Sequence, residues 1–384
     1  MTFSSIHDHT AAGSSALADN TTGNNNTATG GAALAFNTTG GFNTANGAFA
    51  LDRNTAGSQN TASGYEALKS NNADGNTAIG YQALLNNTTG ESNTATGFTA
   101  LLNNTIGQAN TASGLAALQN NTTGNSNTAT GFDALGSNTS GGGNTATGVG
   151  ALQHSTTGPF NTAEGFQALK QNTTGSSNIA VGSNAGLSLT TGSNNIDIGN
   201  QGIGGDSSKI RIGKQGTQTA TYVAGIYGKT VASGTKVAVM IDSTGKLGTV
   251  VSSARFKNQI KPMDKASEAI LALKPVTFRY KEELDPDGMP QFGLIAEEVE
   301  KVNPDLVVRD EDGKVNTVRY EAVNAMLLNE FLKEHRRSEE QRKQFEFRLA
   351  EQQKQIEALT ATIQKVSERI EVSKPATQLA ANDQ

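Results

Sequence analysis

The chain has 384 residues and a formal charge of −5, unevenly spread: residues 1–200 hold nine acidic and three basic side chains, the remainder 26 and 27. Neither half is a basic patch, so nucleic acid is not an expected partner. There is no cysteine, which excludes disulfides and thiolate metal sites, and His7, His9, His154 and His335 have no ligand spacing, so no metal and no cofactor is expected.

The opening residues show neither a basic n-region nor an apolar h-region, and they read as lacking a Sec signal. No apolar run of about 18 residues appears, so no membrane span is expected. The C-terminus reads as helix, not as a strand of an outer-membrane barrel.

A repeat dominates residues 1–199. Asn-first copies begin at Asn26, Asn43, Asn60, Asn76, Asn93, Asn110, Asn127, Asn144, Asn161 and Asn178, spaced by 17 residues with one step of 16. A degenerate copy starts near His9 and a half-copy, N-I-D-I-G, at Asn195. The template is N-T-A-x-G-x-x-A-L-x-x-N-T-T-G-x-x, and position 6 is mostly apolar (Tyr65, Tyr81, Phe98, Leu115, Phe132, Val149, Phe166). Seventeen residues are too few for a pair of helices but suit one coil of a parallel β-solenoid or β-roll. Coils stacked about 4.8 Å apart would pair each strand with its neighbours. N-T-T-G fits a type I turn, and Asn at a fixed position would stack into a ladder. The 16-residue step falls at "ADGN", a loop that can absorb a deletion. Disorder would not hold Ala, Gly and Leu in register. An ice-binding Thr array is disfavoured because the hydroxyls do not read as a repeated T-x-T strand. The thin Ala/Leu core predicts a second buried face against identical neighbours, hence an oligomer.

This pattern is similar to the head repeats of trimeric autotransporter adhesins, which implies a trimeric head. Those adhesins need a Sec signal and a membrane barrel, so the resemblance is carried over for shape and trimer only.

Residues 200–251 read as a β-rich collar: K-I-R-I-G, A-T-Y-V-A-G-I-Y-G and T-K-V-A-V-M-I-D-S-T-G-K-L-G-T-V alternate between Gly turns. From Ser252 three blocks follow. The first is Ser252, Ser253, Phe256, Lys257 and Ile260. The second is Gly293, Ile295, Ala296, Glu298 and Val299, with Pro304 after it. The third is Tyr320 and the helix behind it. Together these blocks resemble the S74 peptidase domain, the intramolecular chaperone at the C-terminus of phage tail spikes and fibres. The resemblance implies a small α+β chaperone domain over residues 252–327 and a self-cleaving dyad, with Ser252 as nucleophile and Lys257 as base. Ser253 stands where the family usually has Asp, which leaves the register between the two serines open. The plain alternative is that Ser252 caps a turn and Lys257 lies on a solvated face. Asp310–Gly313 reads as a hairpin turn, not a metal loop.

From Leu328 to about residue 372 the chain reads as a heptad coiled coil. Leu328, His335, Arg342, Leu349, Ile356, Ile363 and Ile370 take a; Phe331, Ser338, Phe345, Gln352, Leu359 and Val366 take d. Pro375 and a polar, disordered tail over 373–384 close it. The expected function is a structural homotrimeric fibre or spike of a phage or tail-like particle, assembled in the cytoplasm. Its expected partners are its own copies, a baseplate or tail protein and a host-surface receptor. Self-cleavage is the one enzymatic activity entertained. The alternative is a cell-surface adhesin exported by an unrecognised route.

Overall fold

The computed structural model describes residues 8–224, 226, 237–242, 244–310 and 312–373. The chain divides into two compact units, Met1–Tyr227 and Gly228–Gln384. His7, Glu311, most of the G-I-Y-G segment and the tail from residue 374, Pro375 included, lie outside the described residues.

The first unit is a parallel β-solenoid of about twelve turns. Its thirteen strands are β1 (Thr10–Ala12), β2 (Thr27–Thr29), β3 (Thr44–Asn46), β4 (Thr61–Ser63), β5 (Thr77–Ile79), β6 (Thr94–Thr96), β7 (Thr111–Ser113), β8 (Thr128–Thr130), β9 (Thr145–Thr147), β10 (Thr162–Glu164), β11 (Ile179–Val181), β12 (Ile196–Ile198) and β13 (Ile210–Ile212). They pair in sequence order, each template position on its own equivalent one coil on. K-I-R-I-G is therefore the last rung of this ladder, reached by a short step from β12.

Each strand is only three residues long, shorter than the alternation suggests. Two backbone features curl the rest of the coil. From Gly13 to Gly165 the glycine at position 5 has φ between 132° and 141°, and at Gly97 a Cβ would lie 2.4 Å from the Gly114 carbonyl oxygen. No other residue fits there. The buried Leu at position 9 is left-handed in all nine Asn-first coils that carry it, with φ between 51° and 54°. That conformation costs about 1–2 kcal/mol, which burial of a whole Leu side chain, about 1.5–3 kcal/mol, offsets. The Leu side chains stack with Ala of positions 3 and 8 into one continuous core.

Two buried asparagine ladders hold the coils in register. In the first, Asn93 accepts from the Asn110 backbone N–H (3.0 Å) while its Nδ2 donates to the Gly107 carbonyl (2.8 Å). The same pair of contacts recurs in the neighbouring coils. In the second, the Asn of the N-T-T-G box donates to the Asn one coil back, as Asn121 does to Asn104 at 2.7 Å, and to its own box glycine, Gly124, at 3.0 Å. The box is bound to the next coil more than to itself. The Thr105, Ile106 and Gly107 N–H groups and the Thr105 hydroxyl all converge on the Thr122 carbonyl.

The 16-residue step is absorbed inside this box. Ala73 takes the place of the box glycine, its carbonyl accepting from Asn60 and Asn71 at 2.8 Å each. One Thr position is missing. The Asn72 side-chain oxygen stands in for the lost carbonyl, accepting from the Thr55 and Ala56 N–H groups at 3.1 and 2.8 Å. The strands on either side stay in register, Thr61 opposite Thr77.

Departures from the template leave the unit's orphaned buried polar atoms: Asn138 Oδ1, Ser155 Oγ, Asn172 Oδ1 and Asp197 Oδ2. Ser155 replaces the box Asn and breaks the second ladder; Leu189 ends it beyond Asn172. Asp197 replaces the core Ala of position 3 and is 2% exposed.

Outward, Thr occupies both exposed positions of β2, β6, β8 and β9, so the T-x-T strands that the sequence reading discounted are present. Beside them, Phe49, Tyr65, Tyr81 and Phe98 form an exposed aromatic column with ring centroids 5.0–6.0 Å apart.

In the second unit the collar strands are two residues each, β14 (Met240–Ile241) against β15 (Leu247–Gly248). The Asp242 carboxylate accepts from the Thr244 and Lys246 N–H groups of the turn between them. Residues 219–224 form no strand. Next come the hairpin β16 (Val276–Phe278) and β17 (Gln291–Gly293), helix α1 (Ala296–Val302), the hairpin β18 (Val307–Arg309) and β19 (Val315–Val318), and helix α2 (Tyr320–Val372). Among the described residues no helix is long and apolar enough to cross a membrane.

Two outcomes follow from the ladders. Ser155→Asn supplies the missing donor to Asn138 and acceptor for Asn172, and thermal unfolding should report a gain of about 1–2 kcal/mol. Burial, partly countered by Arg211, pushes the Asp197 carboxyl up to about 6. Its folded-state value thus exceeds its unfolded one, so the ionised form is a penalty above about pH 6 that vanishes as pH falls below the ordinary carboxylate range. Solenoid melting temperature should rise on acidification through that window, and Asp197→Ala should flatten the profile.

Candidate functional site

The second unit has a small core of Val299, Leu306, Val318 and Met326, with Ile270, Leu273, Leu294 and Val323 packed against it. The two later sequence blocks meet here. The Leu294 N–H donates to the Tyr320 hydroxyl at 3.0 Å, and a Cβ at Gly293 would lie 2.8 Å from that oxygen. The glycine of the second block is therefore fixed by the tyrosine of the third. Val299 is 1% exposed, which accounts for its place in the motif. Asp310 closes the β18–β19 turn, accepting from the Gly313 N–H through its carbonyl and from Lys314 through its carboxylate.

A polar clamp that the sequence did not signal ties the 3-10 segment Asp264–Ala272 to α2. The Ser267 hydroxyl, fully buried, contacts the Glu330 carboxylate and accepts from Asn329 Nδ2 at 2.7 Å. Hydrogen bonds from Lys333 and then Ser267 hold the Glu330 carboxyl below the usual carboxylate range. Asn329, Glu330 and Lys333 share one face of a helix, but only the fold brings a serine 62 residues away against them.

The first block forms a 3-10 turn, Ala254–Phe256, closed by the Phe256 and Lys257 N–H groups on the Ser253 and Ala254 carbonyls. That turn returns Lys257 toward Ser252, and Lys257 Nζ donates to Ser252 Oγ at 3.2 Å. Ser253 sits at the N-cap position with no side-chain cap hydrogen bond. Ser252 and Lys257 are both exposed in the single chain. Among the described residues no cluster of acidic or histidine side chains could hold a metal.

Residues 252–308 match the family model of peptidase S74, described as chaperone of endosialidase. The match begins at Ser252 and covers the first two blocks, ending within β18. No curated protein and no solved structure matches the chain. A chaperone-type domain placed behind a repetitive solenoid fits a protein of tail-fibre or spike type.

Helix α2 runs unbroken for 53 residues from Tyr320. Its first turns pack on the domain core through Ala322, Val323 and Met326. Beyond them Phe345, Leu349, Ile356, Leu359, Ile363, Val366 and Ile370 are all more than half exposed. With Leu328 and Phe331, also more than half exposed, these are the apolar a and d positions of the heptad pattern.

The meeting of blocks two and three is testable by a double-mutant cycle. Gly293→Ala should destabilise the second unit by about 2–3 kcal/mol through the clash with Tyr320. Combined with Tyr320→Phe, the loss should be smaller than the sum of the two single losses, read by chemical denaturation.

Proposed function

We propose that the protein is a homotrimeric fibre or spike subunit of a phage or phage-tail-like particle, assembled in the cytoplasm. Residues 252–327 act as its intramolecular chaperone. The observation that carries this reading is the apolar heptad seam of α2, solvent-exposed along its length in the single chain and directly attached to the chaperone-type domain. A helix with such a stripe gains by supercoiling with copies of itself. Identical coils of a solenoid can pair in many registers, so holding three chains together at one end before the coils stack removes that ambiguity. The exposed solenoid positions face a host-surface receptor, and a baseplate or tail protein anchors the particle end.

The same reading gives Ser252 and Lys257 a role. A serine hydroxyl needs an adjacent base, and a lysine serves once burial brings its pKa toward neutral. Both side chains are exposed in the single chain, so a neighbouring protomer supplies that burial. The lysine amine takes the Ser252 proton as the oxygen adds to the carbonyl of the Ser252–Ser253 bond. Attack on its own carbonyl would close a four-membered ring, so the bond attacked belongs to a neighbouring chain. The Ser253 amine leaves with the proton from the lysine, and water hydrolyses the ester on Ser252.

Sedimentation of the full chain should return a trimer, and a compact monomer overturns the reading. Deleting residues 253–384 before expression should give aggregates; a normal heat-resistant trimer from that deletion would remove the chaperone role. On a denaturing gel the assembled chain should slowly yield a fragment of 132 residues starting at Ser253. Ser252→Ala and Lys257→Ala should stop the cut and Ser253→Ala should not. The reverse pattern would move the nucleophile to Ser253.

A further inference from the structure

The outward face of the long sheet changes character at one point. From β2 to β10 the two outward residues of each strand are Thr, Ser or Asn, apart from one Ile79 and one Glu164. In β11, β12 and β13 all six are aliphatic: Ile179, Val181, Ile196, Ile198, Ile210 and Ile212. Five of them are 37–72% exposed. Water-facing β-branched aliphatics in three adjacent rungs form a patch, and a patch on a sheet face marks a contact surface.

The face also restricts what can cover it. One charge in the eighteen outward positions of β2–β10 lets a like face approach along the whole stack without repulsion. In a symmetric assembly equivalent residues meet at the same level, so a charged row would oppose itself. The rung spacing is identical in a second copy, which lets two faces stay matched over many rungs. A ligand of other spacing would fall out of step.

We infer that the outward sheet face is where copies of this chain associate, and that its aliphatic end, β11–β13, is the seed of that contact. This rests on the trimeric reading and assigns it a surface in the first unit, independent of the α2 seam. The Ile/Val rungs desolvate first and hold the copies; the Thr rows then follow in register. The polar rows keep the unassembled solenoid from pairing at random along its length.

The cysteine-free chain permits a direct test. Ile198→Cys and Ile212→Cys are placed on the aliphatic rungs, and Gln108→Cys on an exposed position away from the strand. Each purified full-length variant is oxidised at low concentration and run on a denaturing gel, with sedimentation of the unoxidised protein alongside. Since a disulfide needs Cα atoms within about 7 Å, linked dimer should form at least about ten-fold more from the Ile198 or Ile212 variant than from the Gln108 variant. A companion variant, Ile198→Lys with Ile212→Lys, should slow trimer recovery after denaturation while leaving the solenoid's circular dichroism unchanged. If the protein sediments as a trimer yet neither face cysteine links and both react freely with a maleimide, the face is open and this inference is overturned while the trimer stands. If the unmodified protein sediments as a monomer, both fall.

Discussion

The solenoid depends on one contact made again in each coil from Asn26 to Asn195: an asparagine whose amide bridges its own coil to the next. Asn93 shows the economy of it, with its oxygen on the Asn110 N–H and its nitrogen on the Gly107 carbonyl. A three-residue strand offers few ladder hydrogen bonds, so most backbone groups of a 17-residue coil would be buried without partners. Outside the strand most of them pair with the backbone of the neighbouring coil, as the Leu101 N–H does with the Ala117 carbonyl and the Asn103 N–H with that of Gln119, and the two amide ladders and the converging N–H groups of the N-T-T-G box complete the set. The core can therefore be as thin as one Leu and two Ala per coil. The second ladder is also where the solenoid is weakest, because the departures from Asn at Ser155 and Leu189 leave orphaned atoms on Asn138, Ser155 and Asn172.

An architecture satisfied along its axis leaves its sides free to vary. The aromatic column at Tyr65, Tyr81 and Phe98, the Thr rows and the aliphatic rungs of β11–β13 all sit on positions that the ladders do not use. The second unit works differently. Its core is a handful of side chains, and its stability leans on specific pairs such as Tyr320 with Leu294 and Ser267 with the α2 face. The apolar seam of α2 is exposed along the described helix, more than half so at Phe345, Leu349, Ile356, Leu359, Ile363, Val366 and Ile370.

Much of this was legible in the sequence. The period, the parallel solenoid, the Asn ladder and the deletion in a loop follow from a register that only stacking coils would preserve. The three blocks after Ser252 and the heptad spacing of α2 were likewise readable; the pairing of Ser252 with Lys257 was implied by the resemblance, and the 3-10 turn between them sets the two side chains 3.2 Å apart. Other features were not legible. The collar read as long strands because β-branched alternation looks the same whether or not a partner strand exists; among the described residues beyond Ile210–Ile212, only Met240–Ile241 and Leu247–Gly248 find one. K-I-R-I-G lacks the leading Asn, so its place as the thirteenth rung is invisible without the pairing to β12.

The sequence by itself determined the period and the identity of the core positions, because these are hydrophobic demands that each coil makes locally; the clash that excludes a side chain at position 5 comes from the carbonyl of the next coil. Only the tertiary structure decided that Leu would sit in a left-handed conformation that its intrinsic preference opposes. Only it decided that Asn72 would replace a missing carbonyl and that Ser267 would lie against Glu330. In each of these a local cost is met by a partner on another coil or element. No pattern in the sequence records that partner, because the partnership exists only once the chain has folded back on itself.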